Sequence, residues 1–122
     1  MVQPKQAWNI SDKKEVWTHE FQHQNWGPIL STAGGLLFAG GTNDRMFRAF
    51  DAKSGEVLWD YPTNSGVTAP PSTFTVNGKQ YVSVVSGWGV DAERKQGVFR
   101  TIIPGYDVHV PQGSVIWTFA GE

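Results

Sequence analysis

His19, Glu20 and His23 stand in the spacing H-E-x-x-H, the string with which a helix turns two imidazoles toward one zinc ion and a carboxylate toward its water. That chemistry requires a helix, where positions four apart lie about 6 Å from each other on one face. In a strand the same two imidazoles are separated by roughly 13 Å, too far to share a metal. Val16, Trp17 and Phe21 read as a strand, and Gly27-Pro28 follows closely. The segment is therefore expected to be a strand or loop, with the histidines as solvent-facing polar residues. Asn43, Asp44 and Asp51 offer oxygen ligands for calcium, but none lies in a loop with the carboxylate density that calcium requires. Asn43-Asp44 reads as a hairpin turn, and Asp51 as a turn residue that bonds backbone amides. No metal site and no catalytic residue is assigned.

The elements around these residues are organised by a repeat. Ala49-Phe-Asp-Ala-Lys-Ser-Gly-Glu-Val-Leu-Trp59 places an Asp-led turn between two apolar runs, with Gly55 supplying a positive φ and Trp59 a large ring. Ala7 to Trp17 is a degraded copy with Asn9 in place of the Asp and Lys13 in place of the Gly. The two tryptophans are 42 residues apart, inside the span of about 40–45 residues for one four-stranded propeller blade. Gly113-x-x-x-Trp117 repeats the last five positions 58 residues further on, which implies an insertion of roughly a third of a blade.

Strands are expected at Ile29 to Thr32, Leu36 to Gly40, Met46 to Phe50, Val57 to Tyr61 and Val115 to Phe119, after two short strands flanking a turn at Ser11 to Lys14. Asn77-Gly78, between Phe74, Val76 and the run Tyr81 to Val85, is the strongest hairpin signal. Asn64 to Pro71 reads as a loop. Residues 91–111 read as an inserted loop with one strand at Val98 to Ile103, and no helix of consequence is expected.

The pattern Ala-x-Asp-x-x-x-Gly-x-x-x-Trp resembles the tryptophan-docking motif of the pyrroloquinoline quinone (PQQ) dependent alcohol dehydrogenases. The run from Asn25 to Gly89 is similar to the C-terminal part of that family, and Gly113 to Ala120 resembles its closing strand. The resemblance implies an all-β fold: about two four-stranded antiparallel blades of an eight-bladed quinoprotein-type β-propeller. The corresponding divisions are 1–24 (the end of one blade), 25–61 (a blade with the clear motif) and 62–122 (the last blade, with an insertion at about 91–111). It also implies PQQ-binding roles. Asn25 and Trp26 fall where the propeller meets the quinone, the amide suited to its oxygens and the ring to walling a flat ligand. Trp88, Gly89 and Val90 fall at the inner mouth of the last blade, where glycine allows close backbone approach. The family's metal ion, its Asp base and its other quinone ligands match nothing here, so the chain is not expected to oxidise an alcohol alone. The alternative is a non-catalytic propeller module for self-assembly or binding.

A net charge of −1 with interspersed signs shows no footprint for nucleic acid or an anionic membrane. No apolar run reaches the length of about 20 residues that spans a bilayer. The N-terminus lacks the apolar core of a signal peptide, although the resemblance implies a periplasmic location. With no cysteine, the redox compartment is unread. Two blades cannot bury both of their faces, since repeats need neighbours. The chain is therefore expected to dock on the rest of a split propeller, or to self-associate, with four copies restoring eight blades. A small alcohol would be the substrate once assembled.

Overall fold

The computed structural model describes residues 3–21, 25, 27–41, 43–87, 92–107 and 109–121. Among them the chain forms three antiparallel sheets. The first pairs β1 (Gln3–Asn9) with β2 (Lys14–Phe21). The second runs in chain order through β3 (Ile29–Ser31), β4 (Leu36–Gly40), β5 (Met46–Asp51) and β6 (Val57–Pro62). The third contains β7 (Ser72–Val76), β8 (Lys79–Ser86) and β9 (Val115–Ala120).

Side-chain alternation sets how the sheets stack. From β5, Phe50 joins Phe21 and Ala39 in one cluster, which packs between the first and second sheets. Phe47, from the opposite face of β5, joins Val67, Val82 and Val84 between the second and third. The central sheet is thus covered on both sides, which is why β5 combines apolar residues on each face. Phe47 has no exposed surface, and its ring stacks on Phe38 at 5.9 Å and on Phe119 at 5.7 Å. Burial of one such side chain stabilises the fold by roughly 1.5–3 kcal/mol.

The sequence repeat is also a repeat of register. Ala7 pairs with Trp17 and Ala49 with Trp59, and each ladder slips immediately afterwards, at Ala7/Trp8 and at Ala49/Phe50. Position 55 of the better copy has φ +74°, and position 13 of the degraded copy has φ +57° although it is a lysine. Trp117 does not share this geometry. Its strand is third in its sheet, paired to β8 through Val84, whereas Trp59 lies on the fourth strand of its own. The Gly-x-x-x-Trp similarity at Gly113 is therefore local: Trp117 faces a valine rather than an alanine and its ladder does not slip, and the third sheet has three strands among the described residues.

The Asn77-Gly78 hairpin forms as expected, with both central residues at positive φ, 49° and 77°. The expectation for 91–111 is overturned. Ala92–Ile102 is a helix, α1, and Val98 to Ile103 is not a strand. The β-forming Val98 and Phe99 misdirect a local reading. Tertiary packing decides instead: Gln96 and Phe99 are buried on one face, and Phe99 forms a small core with Tyr106, Val110 and Ile103. Pro104 follows the helix and cannot continue it.

Candidate functional site

The residues expected at the ligand site belong to two segments, one entering β3 and one leaving β8. Asn25 is half-buried. Trp26, Trp88, Gly89 and Val90 lie outside the described residues, as does His23. What the structure does place are the anchors of both segments. A Cβ on Gly27 would lie 2.6 Å from the Gly40 carbonyl oxygen and 3.0 Å from that of Val67. Glycine is required there because two other backbones press against it. Lys5 Nζ donates to the Gly27 carbonyl at 2.9 Å, and burial lowers the lysine's pKa. On the other side, Gly87 N–H donates to the Gly66 carbonyl at 2.8 Å, and Val67 N–H to the Gly41 carbonyl at 3.0 Å.

Residues 66 and 67 thus hold both segments. Gly27, one residue after Trp26, packs on Val67; Gly87, one residue before Trp88, is bonded to Gly66. The loop itself is tightly fixed. Thr63 Oγ1 lies 2.7 Å from the carbonyls of both Arg45 and Ser65 and shares its one proton between them, and Ser65 Oγ donates to the Pro111 carbonyl. Asn64 Nδ2 donates to the Gly113 carbonyl at 2.6 Å. Asn64 Oδ1 accepts from Ser86 Oγ, which itself accepts from Trp117 Nε1 at 2.9 Å. Sequence reading saw only a turn-rich loop in 64–71. Its clue was the polar cluster Thr63-Asn-Ser-Gly66, whose side chains bond backbone carbonyls of neighbouring segments.

Above this loop sits the excursion containing α1. Asn43, 1% exposed, donates from Nδ2 to the Tyr106 hydroxyl at 2.7 Å. Gln96 exchanges two bonds with the Val110 backbone, at 2.9 Å and 3.1 Å. Asn43 therefore acts in the structure as a buried tie between the second sheet and the excursion.

His19 and Glu20 lie on β2, so the strand expectation holds for them and they face opposite sides of the sheet. His19 is half-buried rather than fully solvent-facing. Its ring lies 4.7 Å from that of Phe21 and 5.3 Å from that of Phe50. Burial lowers the imidazole pKa, the Arg48 charge adds to the shift and Asp44 opposes it. Arg48 is ion-paired with Asp44 and lies over the Phe21 ring at 5.2 Å. Asp51 is a turn residue as expected: its Oδ1 accepts from the Lys53 and Ser54 amides at 2.8 and 2.9 Å. The Ser54 amide is the largest cause of its lowered pKa, followed by that of Lys53.

A flat, polar quinone needs amide or backbone donors at its oxygens and close backbone approach at its faces. Asn25 carries an amide of that kind, whereas the Gly27 and Gly66 carbonyls and the Gly87 N–H are already bonded within the protein. No helix among the described residues is long and apolar enough to cross a membrane.

Comparison with known proteins agrees with the fold. Residues 3–82 match the β-propeller domain of the glucose/ethanol/alcohol dehydrogenases, the PQQ family. Over 106 residues the chain is 41% identical to the quinoprotein alcohol dehydrogenase PedH of Pseudomonas putida, covering 87% of this chain and 17% of that protein. It is 40% identical over 114 residues to a 1-butanol dehydrogenase (cytochrome c) of Thauera butanivorans, covering 93% and 15%. Among solved structures, a europium-containing methanol dehydrogenase superposes with a TM-score of 0.76 at 30% identity, covering 93% of this chain and 22% of that one. The quinohemoprotein alcohol dehydrogenase of Comamonas testosteroni does so at 0.72 and 35% identity, covering 94% and 16%. The chain thus spans under a fifth of the length of these curated relatives. With the family match covering residues 3–82 and three antiparallel sheets behind it, the chain belongs to the β-propeller family of the PQQ-type glucose/ethanol/alcohol dehydrogenases.

Proposed function

We propose that this chain forms part of the wall of a quinone and alcohol site in a PQQ-dependent alcohol dehydrogenase-like propeller, and that it is not catalytic alone. The observation that carries this reading is the shared anchor. Gly27 and Gly87 are fixed on adjacent residues, Val67 and Gly66, so the segments bearing Asn25 and Trp26 and those bearing Trp88, Gly89 and Val90 start from one place. When bound, PQQ supplies the oxidant for the alcohol. The chain's residues bind and orient: the Asn25 amide toward quinone or carboxylate oxygens, Trp26 and Trp88 as flat walls, the Gly89 and Val90 backbone in close approach.

Catalysis would need a metal ion and a base contributed by other blades. The third sheet lacks a fourth strand among the described residues, and Phe74, Val76, Val85 and Ile116 are exposed on its outer face. That supports docking onto further blades, either of a longer propeller or of other copies such as a tetramer. A periplasmic location follows from the family reading. The same bare face favours the second reading, a non-catalytic propeller module that only assembles or binds.

PQQ titration separates the two. Under the first reading PQQ quenches tryptophan fluorescence saturably, and Trp26→Ala and Trp88→Ala each weaken the affinity. Absence of any binding by the assembled protein sinks the first reading and leaves the second. Light scattering on a sizing column gives the assembly state in which the titration is read.

A further inference from the structure

Helix α1 and the segment that returns from it line an open polar cavity of about 310 Å³, with Gln96 buried at its base and Arg100, His109 and Gln112 exposed around it. None of Gly27, Gly66, Val67 and Gly87 lines it, although Pro111 and Gly113, on either side of Gln112, are bonded to the same loop. Gln96 and Arg100 are four residues apart, so they share one face of the helix. Gln96 is buried, and its amide is committed on both sides to the Val110 backbone. This clamp holds the returning segment against the helix and sets His109 and Gln112 around the cavity.

The chemistry of the lining is one-sided. Arg100 brings a guanidinium with several N–H donors, His109 an imidazole N–H and Gln112 an amide NH₂. Among the described residues, no carboxylate lines the cavity. Among the described residues, Arg100, His109 and Gln112 have no hydrogen-bond or ionic partner. Arg100 also sits in the last turn of the helix, where a cation offsets the negative end of the dipole. That role alone would not gather two further donors and a cavity around it.

We propose that this cavity is a binding site for a small oxyanion, a phosphate or carboxylate group, held by the Arg100 fork with His109 and Gln112 as additional donors. A planar guanidinium matches both anions in two-point geometry, which a lysine does not. The volume admits such a group together with water, so the ligand can be a free ion or the anionic end of a larger molecule. The site stands or falls independently of PQQ binding.

Inorganic phosphate is titrated into the full chain by calorimetry at low ionic strength, with acetate in a second series. Saturable one-to-one binding of phosphate is expected, weakened roughly tenfold or more by Arg100→Gln, and also weakened by His109→Ala. Arg100→Lys keeps the charge at the helix end, so it is expected to melt like the parent yet bind more weakly. Acetate binding at the same site extends the ligand class to carboxylates; phosphate binding alone restricts it to phosphate groups. The proposal is overturned if neither anion saturates. It is equally overturned if Arg94→Gln, on the same helix, weakens binding as much as Arg100→Gln, which would show general charge attraction.

Discussion

The Trp17 indole occupies the space that a side chain on Gly55 would need: a Cβ there would lie 2.5 Å from its Cδ2. The indole Nε1 donates to the Ala52 carbonyl in the same turn at 2.9 Å. One tryptophan thereby joins the first sheet to the second, and Gly55 is needed for space as well as for its φ of +74°.

Gly55→Ala is expected to be strongly destabilising, by about 2–4 kcal/mol, because overpacking against the indole adds to left-handed strain. Trp17→Phe removes the donor and should cost about 1 kcal/mol for the hydrogen bond, beyond whatever packing is lost. Urea unfolding measures both. A loss below 1 kcal/mol in Gly55→Ala would show that the junction can open without cost.

The sheets were largely legible in the sequence, for reasons visible at particular residues. Alternation at Met46 to Phe50 and the Asn77-Gly78 turn are local signals, and the Trp17/Trp59 period carries the register and even the bulge. The helix was not legible. Val98 and Phe99 favour strands locally, and the contacts that select a helix come from Tyr106 and Val110, which no short window contains. Gly113 to Trp117 misled in the opposite way, because a five-residue likeness does not say which strand of a sheet it occupies. At the candidate site, the resemblance named Asn25, Trp26 and Trp88 to Val90, yet what the structure places beside them is the packing of Gly27 on Val67 and the bond from Gly87 to Gly66. Such bonding leaves little trace in side-chain identity beyond the glycines.

His19 makes stability depend on pH. Its folded pKa is lowered, chiefly by burial, then by Arg48, so the unfolded chain binds the proton more readily. The contribution is full above the unfolded value of about 6.5 and is lost as pH falls through the lowered folded value. Melting temperatures measured from pH 8 down to pH 5 should fall, and His19→Phe should flatten that slope. An unchanged slope in the variant would place the titrating group elsewhere.

Tyr106→Phe leaves the buried Asn43 Nδ2 without the hydroxyl that accepts from it at 2.7 Å. A cost of about 1–3 kcal/mol is expected for the orphaned donor. The loss should be local: amide exchange in 92–107 should accelerate more than exchange in β4 and β5. Uniform acceleration would mean that the excursion and the sheets unfold as one unit.

Asn64→Ala removes the bond to the Gly113 carbonyl and the acceptor for the fully buried Ser86. Destabilisation of about 2–3 kcal/mol is expected from these two broken contacts, together with the longer one from Trp117 Nε1 to Asn64 Oδ1 at 3.4 Å. Because this loop anchors Gly87 through Gly66, quinone affinity should fall with it. Unchanged affinity in a folded Asn64→Ala protein would separate the loop from ligand binding.

The two ends of the sheet stack are different surfaces. The outer side of the first sheet carries a polar network, with Gln6 bonded to Glu15, Thr18 and Trp8. The outer side of the third carries a stacked Phe74–Tyr81 pair beside Val76, Val85 and Ile116. The stack therefore has a head and a tail. Copies joined tail to head form heterologous contacts, which close into a ring when the rotation between neighbours divides the circle and otherwise extend as an open helical filament.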